Sequence, residues 1–250
     1  MSTIDVKNYL DSTYLKTPEQ AGISESETKQ KVYELTDEAL EEGFFEVMIR
    51  PDFVKEIKQY ISDKGAKVKV GTVIGFHEGT YSVEEKLAEA KQAIEDGVDE
   101  LDYVINYEAF KKGDVSLVEN EFIACTKLAL DHQKTAKWII EIAALSDDEI
   151  AEITSLIRTW SEKNFQDHLS MIFVKSSTGF YKTEGGKPNG ATFEGIKIML
   201  DHAGSLPVKA AGGVKSPEDA VKMIELGVKR IGTSSAKALV GKSSTSESGY

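Results

Sequence analysis

The sequence predicts an α/β chain folded as one (β/α)8 barrel, and three observations lead there. Short apolar runs alternate with amphipathic stretches of helical length, a helix–glycine–strand seam recurs, and eight strand candidates fit into 250 residues. A barrel of this kind typically takes about 250 residues. The seam reads Ala39-Leu-Glu-Glu-Gly-Phe44, Ala93-Ile-Glu-Asp-Gly-Val98 and Met223-Ile-Glu-Leu-Gly-Val228. Glycine there can take the left-handed conformation that closes a helix before a strand. Repeated seams of this form imply βα units and a parallel sheet. A doubly wound open sheet is the alternative; it usually has fewer strands and a G-x-G-x-x-G turn after the first, which is absent here.

In chain order, the strand candidates are 9–13, 44–49, 68–74, 100–105, 137–142, 171–175, 207–211 and 229–232. Helical patterns fill the gaps between them. Val83, Leu87, Ala90 and Ile94 make one apolar stripe, and Leu117, Phe122, Leu128 and Leu130 another. Lys137 and Glu141 fall on one face of the fifth candidate strand and suggest an inner ion pair. No linker or shift of composition divides the chain, so one domain is expected over 1–241, followed by a flexible Ser-rich tail over 242–250.

A net charge of −12 argues against non-specific binding to nucleic acid or an anionic membrane. It leaves phosphate esters open, because local amides and a few lysines suffice to hold one. No apolar run approaches the ~20 residues that span a bilayer, and Met1 to Asp11 carries acids rather than the apolar core of a leader. The single cysteine, Cys125, excludes an internal disulfide and fits a cytoplasmic protein.

In a barrel the reacting groups sit at the carboxyl ends of the strands. Asp102 lies inside Leu-Asp-Tyr-Val-Ile, Lys175 ends Met-Ile-Phe-Val-Lys, and Lys209 lies inside Pro-Val-Lys-Ala-Ala. Unpaired buried charge is expensive, so three ionisable groups in apolar strands point to chemistry. Burial and a second cation both favour a neutral lysine able to attack a carbonyl. Asp102 is then placed to handle protons. Lysines that snorkel to solvent and pair with acids are the structural alternative.

Glycine- and hydroxyl-rich segments follow the last three strands: Ser176-Ser-Thr-Gly179, Gly212-Gly-Val214 and Gly232-Thr-Ser-Ser235. Barrels often build a phosphate site from such loops. The histidines, His77, His132, His168 and His202, have no ligand spacing, so no metal is expected. A phosphosugar epimerase or isomerase, or a non-catalytic phosphosugar-binding protein, would explain the loops but leave paired Lys175 and Lys209 without a use.

Phe173-Val-Lys-Ser-Ser-Thr-Gly179 resembles the Schiff-base lysine motif of the deoxyribose-phosphate aldolases. Val208-Lys-Ala-Ala-Gly-Gly-Val214 resembles that family's second lysine motif, and Glu100-Leu-Asp-Tyr-Val-Ile105 its aspartate strand. Leu10-Asp-Ser-Thr-Tyr-Leu15 is similar to its opening strand, and Arg230-Ile-Gly-Thr-Ser-Ser235 to its phosphate-binding end. The resemblance runs in order over 10–239. It implies a TIM barrel, no cofactor, and reversible cleavage of 2-deoxy-D-ribose 5-phosphate into glyceraldehyde 3-phosphate and acetaldehyde. It makes Lys175 the imine-forming residue, Lys209 the group that helps keep it neutral, and Asp102 the general acid/base. Asp11 and Thr13 would line the pocket. Thr178, Gly179, Gly212, Gly213, Gly232, Ser234 and Ser235 would serve substrate binding, chiefly at the phosphate. Tyr250 is a candidate to fold back into the site. The sequence leaves the oligomeric state open; barrels commonly dimerise, so a homodimer is one candidate assembly.

Four departures from the family pattern stand out. Met48 replaces a cysteine of some relatives, so inhibition through that thiol should be missing. His77, in Gly75-Phe-His-Glu-Gly79, replaces the usual proline, and Ala143 follows Glu141-Ile142 where a threonine is more usual. The stretch 181–190 is longer and more polar than in compact relatives.

Overall fold

The seam glycines adopt the conformation expected of them: φ is +73° at Gly43, +93° at Gly97 and +120° at Gly227. Each closes a helix and returns the chain to the sheet. The computed structural model describes residues 4–240; Tyr250 and the tail 242–250 lie outside the described residues. Eight strands follow in order: β1 Leu10–Tyr14, β2 Glu46–Ile49, β3 Lys69–Ile74, β4 Glu100–Val104, β5 Thr135–Ile139, β6 Ile172–Lys175, β7 Val208–Ala211 and β8 Arg230–Thr233. All pair in parallel with their sequence neighbours, and β8 pairs back onto β1 to close the barrel. Among the described residues no helix is long and apolar enough to cross a membrane.

Alternation along the strands sorts side chains into two populations. Outward positions pack on the helices: Tyr103 of β4 stacks on Trp138 of β5 at 5.0 Å between centroids, and Trp138 meets Phe122 of helix Val115–Asp131 at 5.1 Å. Inward positions carry Asp11, Glu46, Asp102, Lys137, Lys209 and Arg230, all buried. Most barrels fill this space with branched aliphatic layers; here much of it is ionic. Gly71 of β3 makes room for it, since a Cβ there would lie 2.5 Å from Glu46 Oε1 and from Met48 Cε.

Two expectations need correction. The fifth strand ends at Ile139 rather than 142, because Glu141 turns into the left-handed region at φ +57° and a short 3-10 turn Ile142–Ala144 follows. Lys137 therefore pairs with Glu46, Glu100 and Asp102, not with Glu141. The buried stripe of helix Val115–Asp131 includes Val118, Phe122, Cys125 and Ala129, while Leu117 is exposed. That choice gives a cleaner i, i+4, i+7, i+11 row.

Helix Asp147–Asn164 begins with a full capping box, Ser146 and Glu149 each bonding the other's amide. Replacing Ser146 by alanine is expected to lower unfolding free energy by about 1 kcal/mol. Urea denaturation checks this; an unchanged midpoint would show the helix held by packing alone.

Candidate active site

Lys175 ends β6 beside Lys209 of β7, which it faces in register. Their ammonium groups converge on one oxygen: Asp102 Oδ2 lies 2.7 Å from Lys175 Nζ and 2.8 Å from Lys209 Nζ. Lys137 Nζ takes the other oxygen, Oδ1, at 2.8 Å. Beneath this group Arg230 bonds Asp11, Glu46 at 2.9 Å and Glu100 at 3.1 Å. Lys209 also contacts Asp11. Four cations and four carboxylates thus form one connected network inside the barrel. Buried ions are tolerated only when paired this closely.

The network sets different protonation tendencies on its members. Burial would raise Asp102, but Lys137, Lys175 and Lys209 outweigh it and hold the carboxyl well below its usual range. Lys175 moves the other way. Burial, with help from Lys209 and Lys137 and against the attraction of Asp102, brings it down to about 8. Roughly one amine in ten is then neutral at pH 7, against about one in several thousand for a free lysine. Lys137, by contrast, is held firmly charged: burial opposes the charge, but Asp102, Glu100 and Glu46 prevail. Of Lys175 and Lys137, it is Lys175 that is prepared as a nucleophile.

The sequence of residues 12–244 matches the family model described as DeoC/LacD family aldolase. The chain belongs to this family. It is 39% identical over 241 residues to the deoxyribose-phosphate aldolase of Thermococcus kodakarensis, covering 96% of this chain and 97% of that one. The deoxyribose-phosphate aldolase of Caldicellulosiruptor saccharolyticus is 37% identical over 244 residues, covering 97% and 100%. Among solved structures, the tetrameric deoxyribose phosphate aldolase from Aeropyrum pernix superposes with a TM-score of 0.74 at 30% identity, over 94% of this chain and 89% of that one. The family is one of carbon–carbon lyases, and the eight-stranded barrel of this chain is its fold.

For this aldolase, the positions singled out in the sequence fall into three groups. Lys175, Lys209 and Asp102 are brought together as described. Asp11 is fully buried against Arg230 and Lys209, so it reaches the site through Lys209 rather than as pocket wall. Thr13 is half-buried, its hydroxyl donating to the Asp11 carbonyl at 2.9 Å. The glycines differ among themselves. Gly232 leaves space for Lys209, whose Cε would lie 3.3 Å from a Cβ at that position. Gly213, at φ +75°, lets the Ala191 carbonyl approach to where a Cβ would stand at 2.2 Å. Gly179, at φ +80°, meets nothing within 4 Å and faces open space, as the exposed Ser234 and Ser235 do.

Glu46, Glu100 and Arg230 were not singled out as site residues. Their signal was a charge at or near the start of an apolar strand, which reads equally well as a solvated strand end. At the mouth, His77 stacks on Phe180 at 5.5 Å, and Phe76 meets Phe180 edge-on at 5.1 Å beneath Arg50. The residue in place of proline thus joins an aromatic wall between the loops after β3 and β6.

Proposed function

We propose that this aldolase reversibly cleaves 2-deoxy-D-ribose 5-phosphate to D-glyceraldehyde 3-phosphate and acetaldehyde, through an imine on Lys175. The observation that carries the reading is the buried Lys175 amine, brought down to about 8, beside Lys209 on a single Asp102 oxygen. The neutral amine adds to the C1 carbonyl, and loss of water gives the protonated imine. That cation draws in the electron pair of the C2–C3 bond as it breaks. The C3 hydroxyl proton passes to the Asp102–Lys209 pair, and the C3 fragment leaves as the aldehyde. The remaining enamine takes a proton at C2, and water releases acetaldehyde. The lysine itself is the electron sink, so the scheme calls for no further cofactor.

The phosphate is assigned to the loops after β6, β7 and β8. The Gly212 amide is engaged with the Gly232 carbonyl and the Ser235 amide with Thr233 Oγ1. The groups we assign to the phosphate are therefore the Gly213 and Ser234 amides, the Ser234 and Ser235 hydroxyls, and the open Gly179 edge. Thr178 acts less directly, since its hydroxyl and amide are turned to Glu141. The same reading includes one barrel domain over 1–241, a cytoplasmic location and assembly as a homodimer, which light scattering would test.

Borohydride trapping with acetaldehyde, with and without EDTA, tests the function. One reduced ethyl imine mapped to Lys175 and indifferent to EDTA is expected. Label on Lys209 would exchange the two lysine roles, and no selective label on folded protein would sink the reading. The pH dependence adds a second check. Because the Lys175 amine must be neutral, the second-order rate of trapping should stop rising with pH near 8 rather than near the ordinary 10.5. A rate that goes on rising beyond pH 9, as for an ordinary lysine, would contradict the lowered amine.

A further inference from the structure

Glu141 has no part in the scheme above, yet its placement is unusual. The amides on either side of it, Ile140 N and Ile142 N, donate to Lys175 O at 3.0 Å and Ser176 O at 2.9 Å. The ladder between β5 and β6 thus continues past the strand end and fixes Glu141 one step beyond Lys175, toward the mouth. The residue holds a left-handed backbone at φ +57°, which is uncommon for a glutamate and costs conformational energy. Its side chain is fully buried. Oε2 accepts from the Thr178 amide at 3.0 Å and from the Thr178 hydroxyl, while Oε1 has no well-formed hydrogen bond among the described residues, though the Ala143 amide lies near the carboxyl. A buried carboxyl oxygen left without a donor is costly unless something else meets it.

Asp102 cannot easily fill every proton role. It lies on the interior side of Lys175, with both oxygens engaged by ammonium groups. The oxygen of a substrate carbonyl, by contrast, enters from the mouth. We propose that Glu141 is a second catalytic carboxyl, which donates the proton to the carbinolamine hydroxyl on Lys175 and later takes it back from the hydrolytic water. In the forward step the Glu141 carboxylic acid protonates the C1 hydroxyl, and the C–O bond breaks. The Lys175 nitrogen lone pair forms the C=N bond, and water leaves. The products are the protonated imine, water and the Glu141 carboxylate; hydrolysis runs the same step in reverse. Burial favours this use by raising the Glu141 carboxyl, against the pull of Thr178 and Lys175. Thr178 then serves as the anchor that turns Oε1 toward the reacting oxygen.

The proposal rests on imine chemistry at Lys175, and wild-type trapping with acetaldehyde is the control that separates the two. If the wild type traps nothing, the aldolase mechanism fails; the variants below bear on Glu141 alone. Glu141→Gln keeps an oxygen for Thr178 and removes the acid. Rapid-quench trapping should show imine formation slowed by about 100-fold or more. Glu141→Gly suits the left-handed backbone and opens space, so added formate should restore part of the lost rate. Imine formation by Glu141→Gln within twofold of wild type overturns the proposal. So does a slow Glu141→Gly that formate does not rescue while Thr178→Val shows an equal defect, since Glu141 would then only position Thr178.

Discussion

Lys175→Met is expected to lose turnover by a factor of about 10⁴ or more, while the protein becomes more stable. Methionine matches the stem of lysine but offers no amine, so no imine forms. A loss of 10⁴ corresponds to about 5.5 kcal/mol of transition-state stabilisation. The gain in stability follows from the pKa. The folded-state amine lies at about 8, below the ordinary 10.5, so the unfolded chain binds the proton more tightly. Such a group opposes folding below pH 8 and relaxes its opposition as pH rises from 8 to 10.5. Removing it should therefore stabilise the fold at pH 7 by on the order of 2–3 kcal/mol. The advantage should shrink toward pH 10.5. Urea denaturation at pH 7 and at pH 10, beside a coupled cleavage assay, reads both effects. A variant that is inactive but less stable at pH 7 would mean that Asp102 needs the third ammonium more than Lys175 resists burial.

The same tension explains what could be read in the sequence. Lys175, Lys209 and Asp102 were legible because each interrupts an apolar run, where an ion has no cheap structural reason to be. The strands and their seams were legible because glycine at a left-handed position is a local requirement. Glu46, Glu100 and Arg230 were not, because only barrel closure brings β2, β4 and β8 together beneath the reactive layer. Glu141 was misread for a different reason. Ile139, Ile140 and Ile142 continue an apolar pattern past the strand end, and nothing in that pattern marks the turn at φ +57°. Sequence periodicity shows where a strand can run, while the ladder to Lys175 and Ser176 decides where it stops.

Arg230→Met is expected to destabilise the protein by about 3–5 kcal/mol, enough to threaten folding. Its guanidinium reaches Asp11, Glu46 and Glu100 together and stacks over Phe45 at 3.7 Å. Burial works against that charge, but the three carboxylates hold it protonated more firmly than usual. Arg230→Lys should recover little, since one ammonium cannot span the planar fork. Adding Glu46→Gln should recover much more. Glu46 is pushed well above its ordinary range by burial and by Asp11 and Glu100, so its charge is the least favoured of the three and a neutral amide there gives up little. The double variant is expected to be at least about 2 kcal/mol more stable than the sum of the single effects. Urea midpoints of the two singles and the double measure that coupling; strict additivity would show that the ions do not act as one network. Catalysis should follow stability here. Arg230 restrains Asp11, Asp11 contacts Lys209, and Lys209 shares an Asp102 oxygen with Lys175. With Arg230 gone, the uncompensated charge on Asp11 should hold Lys209 more tightly and loosen its hold on Asp102. The fraction of neutral Lys175 should then fall, and the rise in trapping rate should move to higher pH.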